Sequence, residues 1–212
     1  MTRKNSNLCF GARAKRSAWA LALVASQIAG CAPLLVGGAM VGGTMVVSDR
    51  RTTGTQVEDQ SIEVKASNRV KEAVGDRAHV NLTSYNRTVL ITGEAVNETD
   101  KAAVEQAVQR VENVRSTVNE LAVTIPSAMS TRSNDSLLTG KVKATFIDAK
   151  DLQVNAFKVV TERGNVYLMG RVTEREATRA TDLARTVSGV QKVVRVFDIV
   201  TEQELADNAP KK

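Results

Sequence analysis

Val89-Leu90-Ile91-Thr92-Gly93-Glu94 and Val166-Tyr167-Leu168-Met169-Gly170-Arg171 are one phrase written twice, 77 residues apart. Upstream at the same spacing, Val80 falls on Phe157 and Leu82 on Val159. Downstream, after one deletion, Val111-Glu112-Asn113-Val114 falls on Val187-Ser188-Gly189-Val190. Val118, Leu121 and Val123 then fall on Val194, Phe197 and Ile199. At the front, Arg69-Val70-Lys71 pairs with Lys141-Val142-Lys143. Self-similarity on this scale means a duplicated structural unit. The units are 59–125 and 134–200, joined by a Ser- and Thr-rich linker at 126–133.

Each unit gives the same coarse structure. A helix comes first, at 61–74 and 135–147. Alternation over 78–84 reads as a strand with Val80 and Leu82 inward. A turn at Asn86-Arg87, or at Glu162-Arg163-Gly164-Asn165, leads into a second strand at 88–92 or 165–169, which makes a hairpin. Gly93 and Gly170 are read as easing the turn that follows. A helix comes next: Asn97 or Thr99 caps 100–111, and Thr173 caps 174–187. A last strand closes each unit at 116–124 and 192–200. The expected class is α+β: two tandem α-β-β-α-β units, each a three-stranded mixed sheet packed against two helices on one face. Such small units have marginal cores of their own. The chain has only 4 Phe, 2 Tyr and 1 Trp, so those cores are built from Val, Leu, Ile and Ala.

Outside the repeat, residues 3–16 are basic and 17–29 form a short apolar run ending in Ile28-Ala29-Gly30-Cys31. A basic stretch followed by an apolar run too short to span a bilayer is a secretory signal. Its end resembles the lipobox of bacterial lipoproteins, where small residues admit the signal peptidase and the thiol takes diacylglycerol. Residues 1–30 are therefore expected to be a signal peptide, with lipidation on Cys31. Acyl burial is worth roughly 0.8 kcal/mol per methylene, so several chains make a permanent anchor. Ala32 is not the aspartate that favours inner-membrane retention in enterobacterial sorting, which points to the outer membrane, facing the periplasm. Residues 31–58, Gly-rich over 34–47, are expected to be a tether, and 201–212 a disordered tail.

The net charge of +6 belongs mostly to the leader. Residues 1–30 hold Arg3, Lys4, Arg13, Lys15 and Arg16 and no acid; removing these 5 from 29 basic residues leaves 24 against 23 acids. The pI near 9.5 is thus no argument for nucleic acid as a partner. The body has no cysteine and one histidine, His79, at the start of a strand with its side chain outward. A thiol nucleophile is excluded there and a transition-metal site is not expected. Glu174 and Glu176 stand at a helix start, where acids suit the dipole. Nothing in this pattern argues for an enzyme, a cofactor or a metal, and no catalytic residue is assigned.

The doubled strand-Gly-turn-helix-x-x-Val-x-x-Val pattern resembles the BON domain. Several features narrow the resemblance to the dual-BON outer-membrane lipoproteins of the DolP type. These are the tandem arrangement behind a lipobox, Gly54-Thr55-Gln56-Val57-Glu58-Asp59 before the first unit, Ser133-Asn134-Asp135-Ser136 before the second, and Val172-Thr173-Glu174-Arg175-Glu176-Ala177. The resemblance covers about residues 28–200. It implies a non-enzymatic protein that binds anionic phospholipid and supports outer-membrane integrity. It also implies that the first helix of the second unit makes the lipid contact, through an aromatic residue near its start. Leu137 holds that position here, without the amphipathic ring suited to a membrane interface.

Charge supports the same location independently. Residues 58–125 hold 8 basic and 11 acidic side chains, and 132–204 hold 12 and 10. Anionic lipid attracts the second unit, at about 1 kcal/mol per basic residue close to the surface. Leu138, Val142 and Phe146 form an inward stripe on its first helix, with Leu137 and Lys141 on a neighbouring face. The candidate lipid-binding set is Leu137, Leu138, Lys141 and Lys143. The alternative is an adaptor for envelope-assembly or peptidoglycan-remodelling proteins, working through sheet edges or the groove between the units.

Overall fold

The structure, a computed structural model, describes residues 49–207. The expected signal peptide, most of the tether and Cys31 lie outside these residues. The first unit runs α1 (Thr53–Val74), β1 (Ala78–Tyr85), β2 (Thr88–Ala95), α2 (Glu98–Gln109), β3 (Ser116–Asn119) and β4 (Ala122–Val123). The second runs α3 (Met129–Asp148), β5 (Phe157–Glu162), β6 (Asn165–Val172), α4 (Glu174–Thr186) and β7 (Lys192–Ile199), followed by a short helix α5 (Glu202–Asp207).

The hairpins are as read. β1 pairs antiparallel with β2 from Ala78↔Ala95 to Tyr85↔Thr88, and β5 with β6 from Phe157↔Gly170 to Glu162↔Asn165. Both turns have two residues with positive φ: Asn86 (48°) and Arg87 (65°), then Arg163 (53°) and Gly164 (75°). This is the backbone that matches strand twist in a two-residue connection. β3 and β7 join parallel to β2 and β6, so each needs a crossover helix, α2 or α4. Asn97 caps α2 through the Asp100 N–H, and Thr173 with Glu176 forms a full capping box on α4.

The last strand of the first unit is interrupted. β3 and β4 both lie on β2, and the break at Glu120-Leu121 turns Leu121 into the core, 2% exposed. The middle strands also run further than expected, through Gly93 to Ala95 and through Gly170 to Val172. The two glycines therefore serve strand packing, not a turn. A Cβ at Gly93 would collide with the carbonyl oxygen of His79, and one at Gly170 with that of Ala156. Only glycine admits so close a backbone approach.

Each sheet has its helices on one face: Ile62, Val70, Val104 and Val108 pack on β2, and Val142, Phe146, Ala177 and Ala184 on β6. The other faces pack on each other. Tyr85, Leu90, Tyr167 and Met169 meet there, with Val118, Val160, Val194 and Val196 around them. The described residues thus form four layers, helix–sheet–sheet–helix. β2 and β6 are buried on both faces, which is why their middles, 89–91 and 166–169, read as apolar runs rather than alternation. Polar contacts cross the seam at its margins. The Tyr85 hydroxyl accepts from the Arg171 N–H at 3.2 Å, Asn81 donates to Glu162 at 2.8 Å, and Asn86 donates to Asp198 at 2.7 Å.

Three boundaries differ from the sequence reading. Residues 53–58, read as tether, are the first turns of α1, and 129–133, read as linker, are the first turns of α3. Residues 202–207 of the expected disordered tail are helical. The cause is the same in both long helices: the core-facing position of the early turn holds an acid, Asp59 (2% exposed) or Asp135 (5%), so the apolar period is broken where each helix begins.

A candidate lipid-facing helix

Helix α3 has two apolar faces. Leu138, Val142 and Phe146 face inward, and the ring of Phe146 meets Phe157 edge-on at 5.4 Å between centroids. The helix is held in register at its front by Asp135, whose carboxylate accepts from the Arg163 and Gly164 N–H groups, both at 2.8 Å. Thr139 donates to Thr161 of β5 at 2.7 Å.

The opposite face is apolar and exposed. Leu137 is 67% exposed and Ile147 66%; Gly140 and Ala144 are exposed between them. Residues 137, 140, 144 and 147 share one side of a helix. Met129 at the first turn is 74% exposed, and Ile125 just before the helix 81%. Lys141 and Lys143 flank the stripe, exposed, with Lys150 beyond its end. None of these three lysines has an ion-pair partner among the described residues. An apolar ridge edged by free cations suits the boundary between acyl chains and headgroups.

Of the four candidate residues, the structure places Leu137, Lys141 and Lys143 on this surface. Leu138 is 3% exposed and packs toward the loop at Gly189; it belongs to the inward stripe and not to the outer face. Ile147, Ala144 and Met129 were not in the candidate set. Stepping three and four residues from Leu137 would have found the first two.

The first unit's helix α1 has Val57 (60%) and Val64 (63%) exposed, without the same concentration of unpaired lysines: Lys65 pairs with Glu112 at 3.2 Å. An open cleft of about 720 Å³ lies beside the start of α3, lined by Thr124, Ile125, Thr131, Asp135, Arg163 and Gln191. His79 is not a free surface residue: its Nδ1 lies 3.2 Å from the buried Glu94, which also accepts from Ser127. Nearby, burial pushes the Glu162 carboxyl above its usual range; the Asn81 amide opposes this, and the charges of Glu94 and Asp135 add to it. Among the described residues no group of three His, Cys, Asp or Glu side chains is arranged to hold a metal, and no helix is long and apolar enough to cross a membrane.

Comparison with known proteins agrees with the repeat. The BON domain family matches residues 58–125 and again 134–201. The chain is 38% identical over 171 residues to the outer membrane lipoprotein DolP of Haemophilus influenzae, covering 79% of this chain and 88% of that one. It is 31% identical over 154 residues to a 21 kDa hemolysin of Actinobacillus pleuropneumoniae, covering 72% and 79%. Among solved structures, the C-terminal domain of CdsD, from the type III secretion system of Chlamydia trachomatis, covers 63% of this chain and 96% of its own. That likeness is distant, at 8% identity and a TM-score of 0.28.

Proposed function

The chain belongs to the BON-domain family, and on that footing we propose that it is a lipid-anchored outer-membrane protein whose second unit reads anionic phospholipid and thereby supports envelope integrity. The relative named as an outer membrane lipoprotein supports the address. Lipid attachment at Cys31 places the body on the periplasmic face.

The observation that carries the lipid reading is the outer face of α3. Leu137 and Ile147 stand about two-thirds exposed, and three lysines beside them have no counterion among the described residues. Burying a leucine-sized side chain contributes roughly 1.5–3 kcal/mol, and each lysine near an anionic surface about 1 kcal/mol. Neither alone gives firm binding. The anchor holds the helix at high local concentration, so weak contact is enough.

Co-sedimentation of the unlipidated chain with vesicles tests this. Binding is expected with phosphatidylglycerol, not with neutral lipid alone, and should fall as salt rises. Capture of envelope proteins in lipid-free solution, with no vesicle binding, would favour the adaptor instead.

A further inference from the structure

Two consecutive arginines just ahead of α1 grip different units. The Arg50 guanidinium makes a two-point pair with Glu176, Nη1 to Oε2 at 2.7 Å and Nη2 to Oε1 at 2.8 Å. Nη1 also donates to the Arg171 carbonyl at 3.0 Å, and Nε and Nη2 donate to Gln153 Oε1 at 3.2 and 3.0 Å. These five bonds match the five N–H donors of a guanidinium. Both side chains are largely covered, 15% exposed for Arg50 and 7% for Glu176. The Arg50 hydrogen bonds hold the Glu176 carboxyl below its usual range.

Arg51 turns the other way. It donates to Asp59 at 2.8 Å and to Asp49 at 2.7 Å, and its guanidinium lies 4.2 Å from the centre of the Tyr85 ring. Asp59 and Tyr85 belong to the first unit, and Gln153, Arg171 and Glu176 to the second. The two units are thus joined by the linker and, a second time, by the chain that enters the first one.

We propose that Arg50 and Arg51 form a clasp by which the segment leading in from Cys31 is captured on the second unit, so that the membrane tether leaves the body beside the C-terminal end of α3. Gln153 follows the α3 cap, Ala149, by four residues, and exposed Ile147 stands at that same end. The chain from Cys31 to Arg50 can reach at most about 65 Å. Anchor and lipid-facing helix are kept on one unit, and the first unit and the cleft beside α3 are left to the periplasm. The identity of the tether rests on the lipoprotein reading above; the clasp itself does not.

Limited trypsin digestion of the full-length protein, purified from membranes in mild detergent, tests the clasp. Trypsin must draw the arginine side chain out of its partners before cutting, so the rate reports the undocked population. Glu176→Gln leaves the sequence around the scissile bond unchanged and keeps an oxygen for the Thr173 cap. Cleavage after Arg50 should rise about tenfold with the loss of a charge-assisted two-point pair, while cleavage after Arg179 stays constant. Gln153→Ala, outside the cap, should raise it by a smaller factor, about threefold. Cleavage after Arg50 that is already as fast in the wild type as in a free peptide, or that neither variant accelerates, overturns the clasp. If Glu176→Gln accelerates every site alike, Gln153→Ala decides. Leu137→Glu should leave this protection intact even if it abolishes vesicle binding, so the two readings can fail separately.

Discussion

Asp59 and Asp135 do the same task in the two units: each buried carboxylate, from the early part of the unit's first helix, takes two backbone N–H groups from the tip of the hairpin. Asp59 accepts from Asn86 and Arg87, and Asp135 from Arg163 and Gly164, each at 2.8 Å. The tips have positive φ, which aims adjacent N–H groups at one point. Burial pushes the Asp59 carboxyl up, but hydrogen bonds from Arg87, Ser84, Asn86 and Arg51 outweigh it and hold it below the usual range.

Removing either acid leaves two backbone N–H donors at the hairpin tip without their acceptor. Asp135→Ala should cost about 2 kcal/mol in urea unfolding. Asp59→Ala should cost more, because it also leaves the Ser84 hydroxyl without its acceptor and removes one of the two carboxylates that pair with Arg51. Equal, negligible losses would show that water replaces these carboxylates.

The same substitution at two glycines should have opposite signs. Gly93→Ala puts a methyl against the carbonyl of β1 at a φ of 114°, and should destabilise by at least about 2 kcal/mol. Gly140 lies within α3 with open space around it, and Gly140→Ala should stabilise by about 0.5–1 kcal/mol. Thermal unfolding of both variants measures the contrast.

Glu162 gives a pH dependence of defined sign. Its folded-state pKa is raised, so its contribution favours the folded state at pH below the ordinary glutamate value and is lost as pH rises through the raised one. Glu162→Gln removes that titration and keeps an oxygen for Asn81. The variant should melt above wild type at about pH 7.5, with the difference closing as the pH falls toward about 4.5. Asp59 and Glu176 work in the opposite sense: both are held low, and their contribution is lost as pH falls through their lowered pKa values.

The duplicated phrase at 89–94 and 166–171 was enough to read two α-β-β-α-β units, because an amphipathic helix and a hairpin each declare themselves locally. Two things were not local. Sheet-to-sheet packing pairs Leu90 and Tyr85 with Tyr167 and Met169 across two repeats. Its trace is the pair of apolar runs at 89–91 and 166–169, which lack alternation. The acids that latch each hairpin lie within the stretches that carry the family resemblance, yet as charged residues at core positions they disguise the starts of α1 and α3. On the candidate face, Leu137 and the lysines were legible, while Leu138 already stood on the inward stripe. Arg50 could not have been assigned, since its partners lie more than 100 residues away.

The most direct test of the account is binding of the unlipidated chain to phosphatidylglycerol vesicles by three proteins: wild type, Leu137→Glu and Val64→Glu. Leu137 and Val64 are almost equally exposed, 67% and 63%, on α3 and α1. The account predicts that Leu137→Glu weakens binding at least about tenfold, from lost insertion and added negative charge, while Val64→Glu binds as wild type does. Binding by Leu137→Glu at the wild-type level, or an equal loss in both variants, would contradict α3 of the second unit as the lipid-reading face.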